Sequence, residues 1–520
     1  YAISGMGWSP SSLTFEWCQK NNVDMIPGDG YIPACVPAVV DTWALALARF
    51  GTMSFSQVLQ PAIELADDGF PLYPGLHRSL VSSVSKFVNQ YPTTAAIYTP
   101  GGKVPEIGSI LRNPDYAESL KIMCRAENGA KGRGRIAGIE AARDVFYTGE
   151  IAEKIIDFIS DNPVEDENGQ THKGLLSYKD ISEWHATIEQ PTSYEYKGME
   201  IHKSPPWTQG PTFVQQLALL DGLDVSGLGH NSAEYLHLWI ETTKLAFADR
   251  EAYYGDPDFD DVPLDVLLSK AYNDQRREQI SGESSMEMIP GDVGYGVPDY
   301  VKRRVIDDNR LALGMSTPVA LPETGVHDHG GDTTHLDAVD FEGNMVAATP
   351  SGGWIGTSPA ISGLGFPIGT RGQMFYLNPG RPNALQPRKR PRATLTPTVV
   401  TKNNRPYMVF GTPGGDRQEQ WTLQFFLNHV EFGMDLQEAL EAPTLYSQHF
   451  PSSFYPRAAY PGLVMADPLI PSETLEMLRE RGHEIKLLEP WTGGKVLAIS
   501  YDSNRGVISG AASPKGEIGY

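Results

Sequence analysis

Gly331-Asp332-Thr333-Thr334-His335 opens a β-like run, Leu336-Asp337-Ala338-Val339, which turns at Asp340-Phe341-Glu342-Gly343-Asn344. Thr333 decides how this stretch is read. A threonine hydroxyl is a poor nucleophile unless a base lies beside it, and the α-amino group of the same residue can be that base only after the bond before it has been cut. Gly330 and Gly331, followed by Asp332, suit a bond that the chain cuts itself. On this reading the chain is a precursor of two pieces, residues 1–332 and 333–520. Two β-branched residues opening a strand are the commoner use of a Thr-Thr pair, so the triplet carries catalysis only in company.

Outward from Thr333 the pattern changes character on either side. Downstream, strands alternate with turns at 335–340, 345–350, 397–401 and 406–411. A helix over 417–431 buries Trp421, Phe425 and Leu427. Ser472 caps a helix ending at Gly482, and strands 485–488 and 496–501 close the chain. Upstream, residues 1–190 read as mostly helical, with apolar spacing over Thr42–Phe50, Phe55–Ala66 and Lys154–Ile159. Met199–His202 reads as a short strand. Residues 232–252 read as a long helix with Tyr235, Leu238, Thr242, Leu245 and Ala246 on one face and Glu241, Lys244 and Asp249 towards its edges. Residues 282–330, rich in Gly, Pro, Asp and Ser, read as a long surface segment leading to the cut site.

The 520 residues allow a large core or several ordinary domains, with 40% hydrophobic and 20% charged residues as in soluble proteins. The net charge of −22 argues against nucleic acid or an anionic membrane as partner. Cys18, Cys35 and Cys124 have no metal spacing and no even count, so they read as buried or incidental thiols. No apolar run is long enough to span a bilayer. The chain starts at Tyr1 without an initiator Met or a signal-like segment, so either a leader was removed or the sequence is a fragment; a cytoplasmic location is the slightly favoured expectation.

Gly411-Thr412-Pro413-Gly414-Gly415 lies between a strand and a helix. Glycines there serve a tight turn, and adjacent backbone N–H groups facing a helix N-terminus also suit an oxyanion; the two readings are compatible. Arg388-Lys389-Arg390-Pro391-Arg392, in so acidic a chain, reads as local ion pairing or a carboxylate contact rather than a nucleic-acid patch. His327, His329 and His335 match no zinc-ligand spacing and read as solvated loop histidines, so no metal is expected. Gly132-Arg133-Gly134 with Gly138 lacks the strand and acidic residue of a dinucleotide site and reads as a loop.

Several stretches together resemble the γ-glutamyltranspeptidase family of N-terminal-nucleophile hydrolases. They are Pro61–Ala66 with Asp68-Gly69-Phe70; Ala246-Phe247-Ala248-Asp249-Arg250 with Gly255-Asp256-Pro257; Asp332–His335; Lys389-Arg390-Pro391 with Leu395–Thr398; Gly411–Gly415; and Ala512-Ser513-Pro514 with Gly519-Tyr520. The resemblance implies an α+β fold, a four-layer αββα sandwich, built from a large subunit (1–332) and a small catalytic subunit (333–520) released by autocleavage between Asp332 and Thr333. It implies Thr333 as nucleophile, Ser351 as the hydroxyl that orients it, and Gly414 and Gly415 as the oxyanion glycines. Thr394 matches one of two adjacent hydroxyl residues that bind a substrate carboxylate, with Ala393 in place of the other. The family's first segment, including its carboxylate-binding arginine, has no counterpart, which leads us to expect an N-terminally incomplete sequence.

Three departures bear on the substrate. Where the family's transpeptidases hold the glutamyl ammonium, register places Gly353, Arg371 and Met374. An ammonium beside Arg371 would be repelled. The segment Asn378–Pro387 is shorter than the lid-bearing loop of some relatives, so an open pocket is expected. Gly414-Gly415-Asp416-Arg417 with Gln420-Trp421, and Phe450–Pro456, are similar to a divergent branch with oxamate amidohydrolase and cephalosporin-acylase-like proteins. The expected activity is therefore hydrolysis of a small-molecule amide whose acyl group bears a carboxylate and no α-amine. The alternatives are γ-glutamyl hydrolysis or transfer, and an inactive binding homologue. No cofactor is expected, and a homodimer of the processed pair is possible.

Overall fold

Met199–Lys203 and Thr398–Lys402 pair antiparallel, with Val400 opposite Ile201, and so join the two sides of the 332/333 bond in one sheet. A computed structural model of the chain describes residues 1–315, 332–353 and 355–514. The sheet has six antiparallel strands in the order Val507–Ala512, Leu497–Asp502, Arg405–Gly411, Thr398–Lys402, Met199–Lys203 and Thr192–Tyr196. Successive side chains of a strand face opposite ways. Ile201, Val400, Met408 and Phe410 face the helices Gly210–Leu220, Ala233–Tyr253 and Gln418–Val430 and form the largest core with them. Val409, fully buried, faces the other way, towards the hairpin Leu336–Val339/Met345–Ala348. Thr333 thus enters the fold immediately before a hairpin laid across the sheet. The Asp340 carboxylate closes that hairpin by accepting the N–H groups of Glu342 and Asn344 at 2.9 Å each.

The fold is mixed helix and sheet, and the described residues stack as helices, sheet and hairpin. Residues 1–190 supply a second, mostly helical core around Leu80, Phe87, Phe146 and Ile155. Its helices include Val39–Phe50, Phe55–Asp67 and Glu150–Asp161. Ser54 and Gln57 form a capping box that starts the second of these.

Several local expectations are corrected. In the described part of the segment read as surface, Val305–Ala312 is a helix with Val305, Ile306, Asp308 and Asn309 buried; Asp308 binds Arg381 at 2.9 Å and Asn309 accepts the Leu377 N–H at 3.0 Å. Residues 316–330, with His327 and His329, lie outside the described residues, as do Gly331 and Gly519-Tyr520. The long helix Ala233–Tyr253 is buried on nearly every side, Glu241, Lys244 and Asp249 included. Lys244 pairs with Glu241 at 2.7 Å and Arg276 with Asp249 at 3.3 Å, so charge enters the interior already partnered. Ser472 is the first helical residue rather than a side-chain cap; Pro471 precedes it. One more strand, Val507–Ala512, follows 497–502.

The basic run is an ion-pairing element. Arg388 meets Glu183, Lys389 meets Asp260, Arg390 meets Glu189 and Asp256, and Arg392 meets Glu251, at 2.5–2.7 Å. Cys18, Cys35 and Cys124 are free thiols, the first two buried. Among the described residues no helix is long and apolar enough to cross a membrane.

Candidate active site

Thr333 lies two residues before His335, at the mouth of the hairpin, and its Oγ1 is 2.9 Å from the Ser351 Oγ. Pro350, at the far end of the hairpin, accepts the Thr334 N–H at 3.1 Å, which fixes the two ends together. Ser351 is a hub. It donates to the Asp332 carboxylate at 3.0 Å and accepts from the Arg371 guanidinium. The other Asp332 oxygen accepts the N–H groups of Gly352, at 2.8 Å, and Gly353. Arg371 lies 3.8 Å from the same carboxylate. Burial alone would raise the Asp332 carboxyl, but Arg371, the two N–H groups and Ser351 outweigh it and hold the acid below its usual range.

The glycine turn meets the strand that follows Thr333 from the other side. A methyl on Gly411 would overlap the His335 ring, so only glycine lets the ring pack there. His335 is buried, with Nδ1 2.8 Å from Thr349 Oγ1 and Nε2 3.0 Å from Asp337. It is a packed residue, not a solvated loop histidine. Gly414 has φ of +137° and lies against the Trp421 ring. The turn's peptide planes are pinned one after another. Thr412 Oγ1 donates to the Pro413 carbonyl at 2.9 Å, and the Arg417 N–H and Nε donate to the Gly414 carbonyl at 3.1 and 3.3 Å. A peptide is planar, so holding each carbonyl also aims the next N–H, that of Gly414 and then Gly415. Phe454 links the two sides, packing against Gly415 while the Arg371 guanidinium lies 5.5 Å from its ring centroid.

Thr394 is buried, and its hydroxyl has no hydrogen-bond partner among the described residues. The same holds for Thr370 Oγ1 and for Nε and Nη1 of Arg371. Ala393 is buried next to Thr394 and pairs with the Trp207 carbonyl at 2.8 Å through its N–H. Met374 shares the short helical turn Arg371–Met374 and is fully buried, offering the site no polar group. Gly353 has φ of +85°, the conformation that turns its N–H towards Asp332.

Residues that sequence reasoning missed stand behind the turn. Gln209, fully buried, donates through Nε2 to the Thr394 carbonyl at 3.2 Å and the Gly415 carbonyl at 3.0 Å. Arg250 holds its Oε1 at 2.7 Å and reaches Asp416 at 2.5 Å. Asp416 in turn accepts the N–H and hydroxyl of Ser453 at 2.8 and 2.6 Å. Beneath them Glu251, which burial would raise, is pulled down to about 2 by Arg392 and Arg250. No local pattern marks Gln209, because its partners come from distant stretches; only Asp249-Arg250, within the family-like stretch, gave a signal. In the helix layer His237, Glu241 and His483 also cluster, and Glu241 accepts from the Lys244 ammonium at 2.7 Å.

The chain also resembles known proteins over nearly its whole length. Residues 1–519 match the family profile described as Gamma-glutamyltranspeptidase. The chain is 30% identical over 479 residues to the Acylase ACY 1 proenzyme of Pseudomonas sp. (strain SE83), covering 92% of this chain and 73% of that one. Among solved structures, LmbA2991HD superposes with a TM-score of 0.90 at 40% identity, covering 99% of this chain and 86% of that one. The cephalosporin acylase from Bacillus halodurans superposes with a TM-score of 0.79 at 25% identity, over 99% and 83% of the two chains.

Proposed function

Because the chain belongs to the gamma-glutamyltranspeptidase family, we propose that it is a self-processing amidohydrolase whose nucleophile is Thr333. The observation that carries this reading is the Thr333–Ser351 contact of 2.9 Å beside the Asp332–Thr333 bond. In the precursor the Thr333 hydroxyl attacks the Asp332 carbonyl carbon. The C–N bond breaks as the nitrogen takes a proton, leaving an ester on Thr333. Water hydrolyses that ester to the Asp332 carboxylate and a free Thr333 hydroxyl and amine. The stack of helices, sheet and hairpin supports completing the fold as the αββα sandwich.

In the mature enzyme the Thr333 amine accepts the hydroxyl proton, and the oxygen attacks the substrate amide. Ser351 orients it. The N–H groups of Gly414 and Gly415 stabilise the oxyanion by about 3 kcal/mol per donor. The amine leaves with a proton, and water releases the acyl group. The scheme needs no metal or cofactor. Arg371, a cation where an ammonium would have to sit, favours an acyl group with a carboxylate and no α-amine over a γ-glutamyl group.

A denaturing gel and mass spectrometry of the purified chain test the first stage. Two fragments meeting at 332/333 are expected, with one uncut, inactive chain for Thr333→Ala. Cleavage of Thr333→Ala at that bond would defeat the assignment, and an uncut wild-type chain would favour an inert binding homologue. Turnover of glutaryl-p-nitroanilide against γ-glutamyl-p-nitroanilide tests the acyl class.

A further inference from the structure

The Asp332 carboxylate sits in a built anion nest. It takes two consecutive backbone N–H groups, Gly352 and Gly353, the Ser351 hydroxyl at 3.0 Å and the charge of Arg371 at 3.8 Å. The same Ser351 oxygen lies 2.9 Å from the Thr333 hydroxyl. One side chain therefore spans the nucleophile and the bound carboxylate, which fixes how far apart they are. Nε and Nη1 of Arg371 and the nearby Thr370 hydroxyl have no partner among the described residues, so the nest has more donors than Asp332 uses.

Asp332 is also the acyl group of the first reaction. Its scissile carbonyl and its carboxylate are separated by two carbons, Cα and Cβ. The precursor thus displays a four-carbon dicarboxylic monoamide, with one carboxyl as the amide under attack and the other in the nest. We propose that this self-substrate is the template for the external one: once hydrolysis frees Asp332 from Thr333, the nest of Gly352, Gly353, Ser351 and Arg371 receives the carboxylate of a succinyl-type amide. This rests on the function proposed above and names its acyl length. A shorter or longer diacid places its carbonyl off the Thr333 hydroxyl or its carboxylate off the nest. A single methylene misfit commonly costs about 10–200-fold in kcat/KM.

The test uses self-cleaved enzyme and the p-nitroanilides of oxalic, malonic, succinic and glutaric acids. Hydrolysis is expected to peak at succinyl, at least about tenfold above each neighbour in kcat/KM. Arg371→Met should lower the succinyl rate and flatten the series. Free succinate should raise the melting temperature of the mature wild-type enzyme more than malonate or glutarate does, a reading that stands even where Arg371→Met fails to mature. A peak at oxalyl or glutaryl, or no preference for succinate in melting, overturns the four-carbon template and leaves the acyl class intact. Preference for γ-glutamyl-p-nitroanilide over all four overturns the acyl class itself.

Discussion

The two sides of Thr333 are built on opposite plans. On the turn side, each carbonyl from Pro413 to Gly415 has a donor, and Asp416 is held by Arg250 and Ser453. On the nest side, Arg371 and Thr370 keep buried polar atoms that have no partner among the described residues, as does Thr394 beside Gln209. Groups that stabilise a transition state act best when they are already aimed and need not reorganise. Groups that receive a ligand must keep capacity open for it. A buried polar atom without a partner costs roughly 1–3 kcal/mol, a cost that a bound substrate can remove.

The largest effects are expected on the braced side. Gly414→Ala places a methyl against the Trp421 ring at a φ of +137°, which disfavours any L side chain. The turn must twist, and its N–H groups leave their line. A fall in kcat of about 10²–10³-fold, comparable to losing an oxyanion donor, is expected by steady-state kinetics. An unchanged kcat in a folded, self-cleaved variant would remove Gly414 from the oxyanion role. Gln209→Met keeps the size of the side chain and deletes both donations, to Thr394 and to Gly415. Its kcat should fall about 10–100-fold, below the loss for a direct oxyanion donor, with the fragments still associated. A loss borne wholly by KM would show that Gln209 does not brace the turn.

How much of this was legible in the sequence follows the range of the interactions. Thr333 and the glycines at 411–415 are marked by short stretches, Ser351 only by register with the family it resembles, and the strands at 398–402 and 405–411 lie where alternation places them. The helix 233–253 was found, yet its charged residues were placed at the edges. Periodicity reports only that a residue is polar; it cannot show Arg276 waiting for Asp249 across the core. His335 was misplaced for the same reason, since its burial depends on a glycine far downstream. Gln209 was silent because its work is done through carbonyls of 394 and 415.

A smaller effect separates the helix layer from the site. His449 is held down to about 4 by burial and then by the Lys244 ammonium, and His483 to about 3 by the same causes. Both folded values lie below the ordinary histidine value of about 6.5. The stability tied to them is therefore whole above about pH 6.5 and is lost as pH falls towards the folded values, because the unfolded chain binds protons that the folded chain refuses. Each histidine should cost about 2 kcal/mol between pH 6.5 and pH 5. Urea midpoints at the two pH values read the loss, and His449→Gln should shrink it. A pH dependence that His449→Gln leaves untouched would place its source elsewhere.

The smallest expected change bears most directly on the open side. Thr394→Val keeps the shape of the side chain and removes a buried hydroxyl that has no partner among the described residues. In the free enzyme that hydroxyl gives up its hydration without return, so its removal should leave thermal stability unchanged or raise it by up to about 1 kcal/mol. In the complex the lost hydroxyl no longer meets the substrate, and KM should rise about 3–10-fold with little change in kcat, the size of one hydrogen bond. The two readouts move in opposite directions only if the hydroxyl is reserved for a ligand. A variant that loses stability instead would show that Thr394 is part of the scaffold, and the contrast between a braced turn and an open nest would shrink to Arg371 and Thr370.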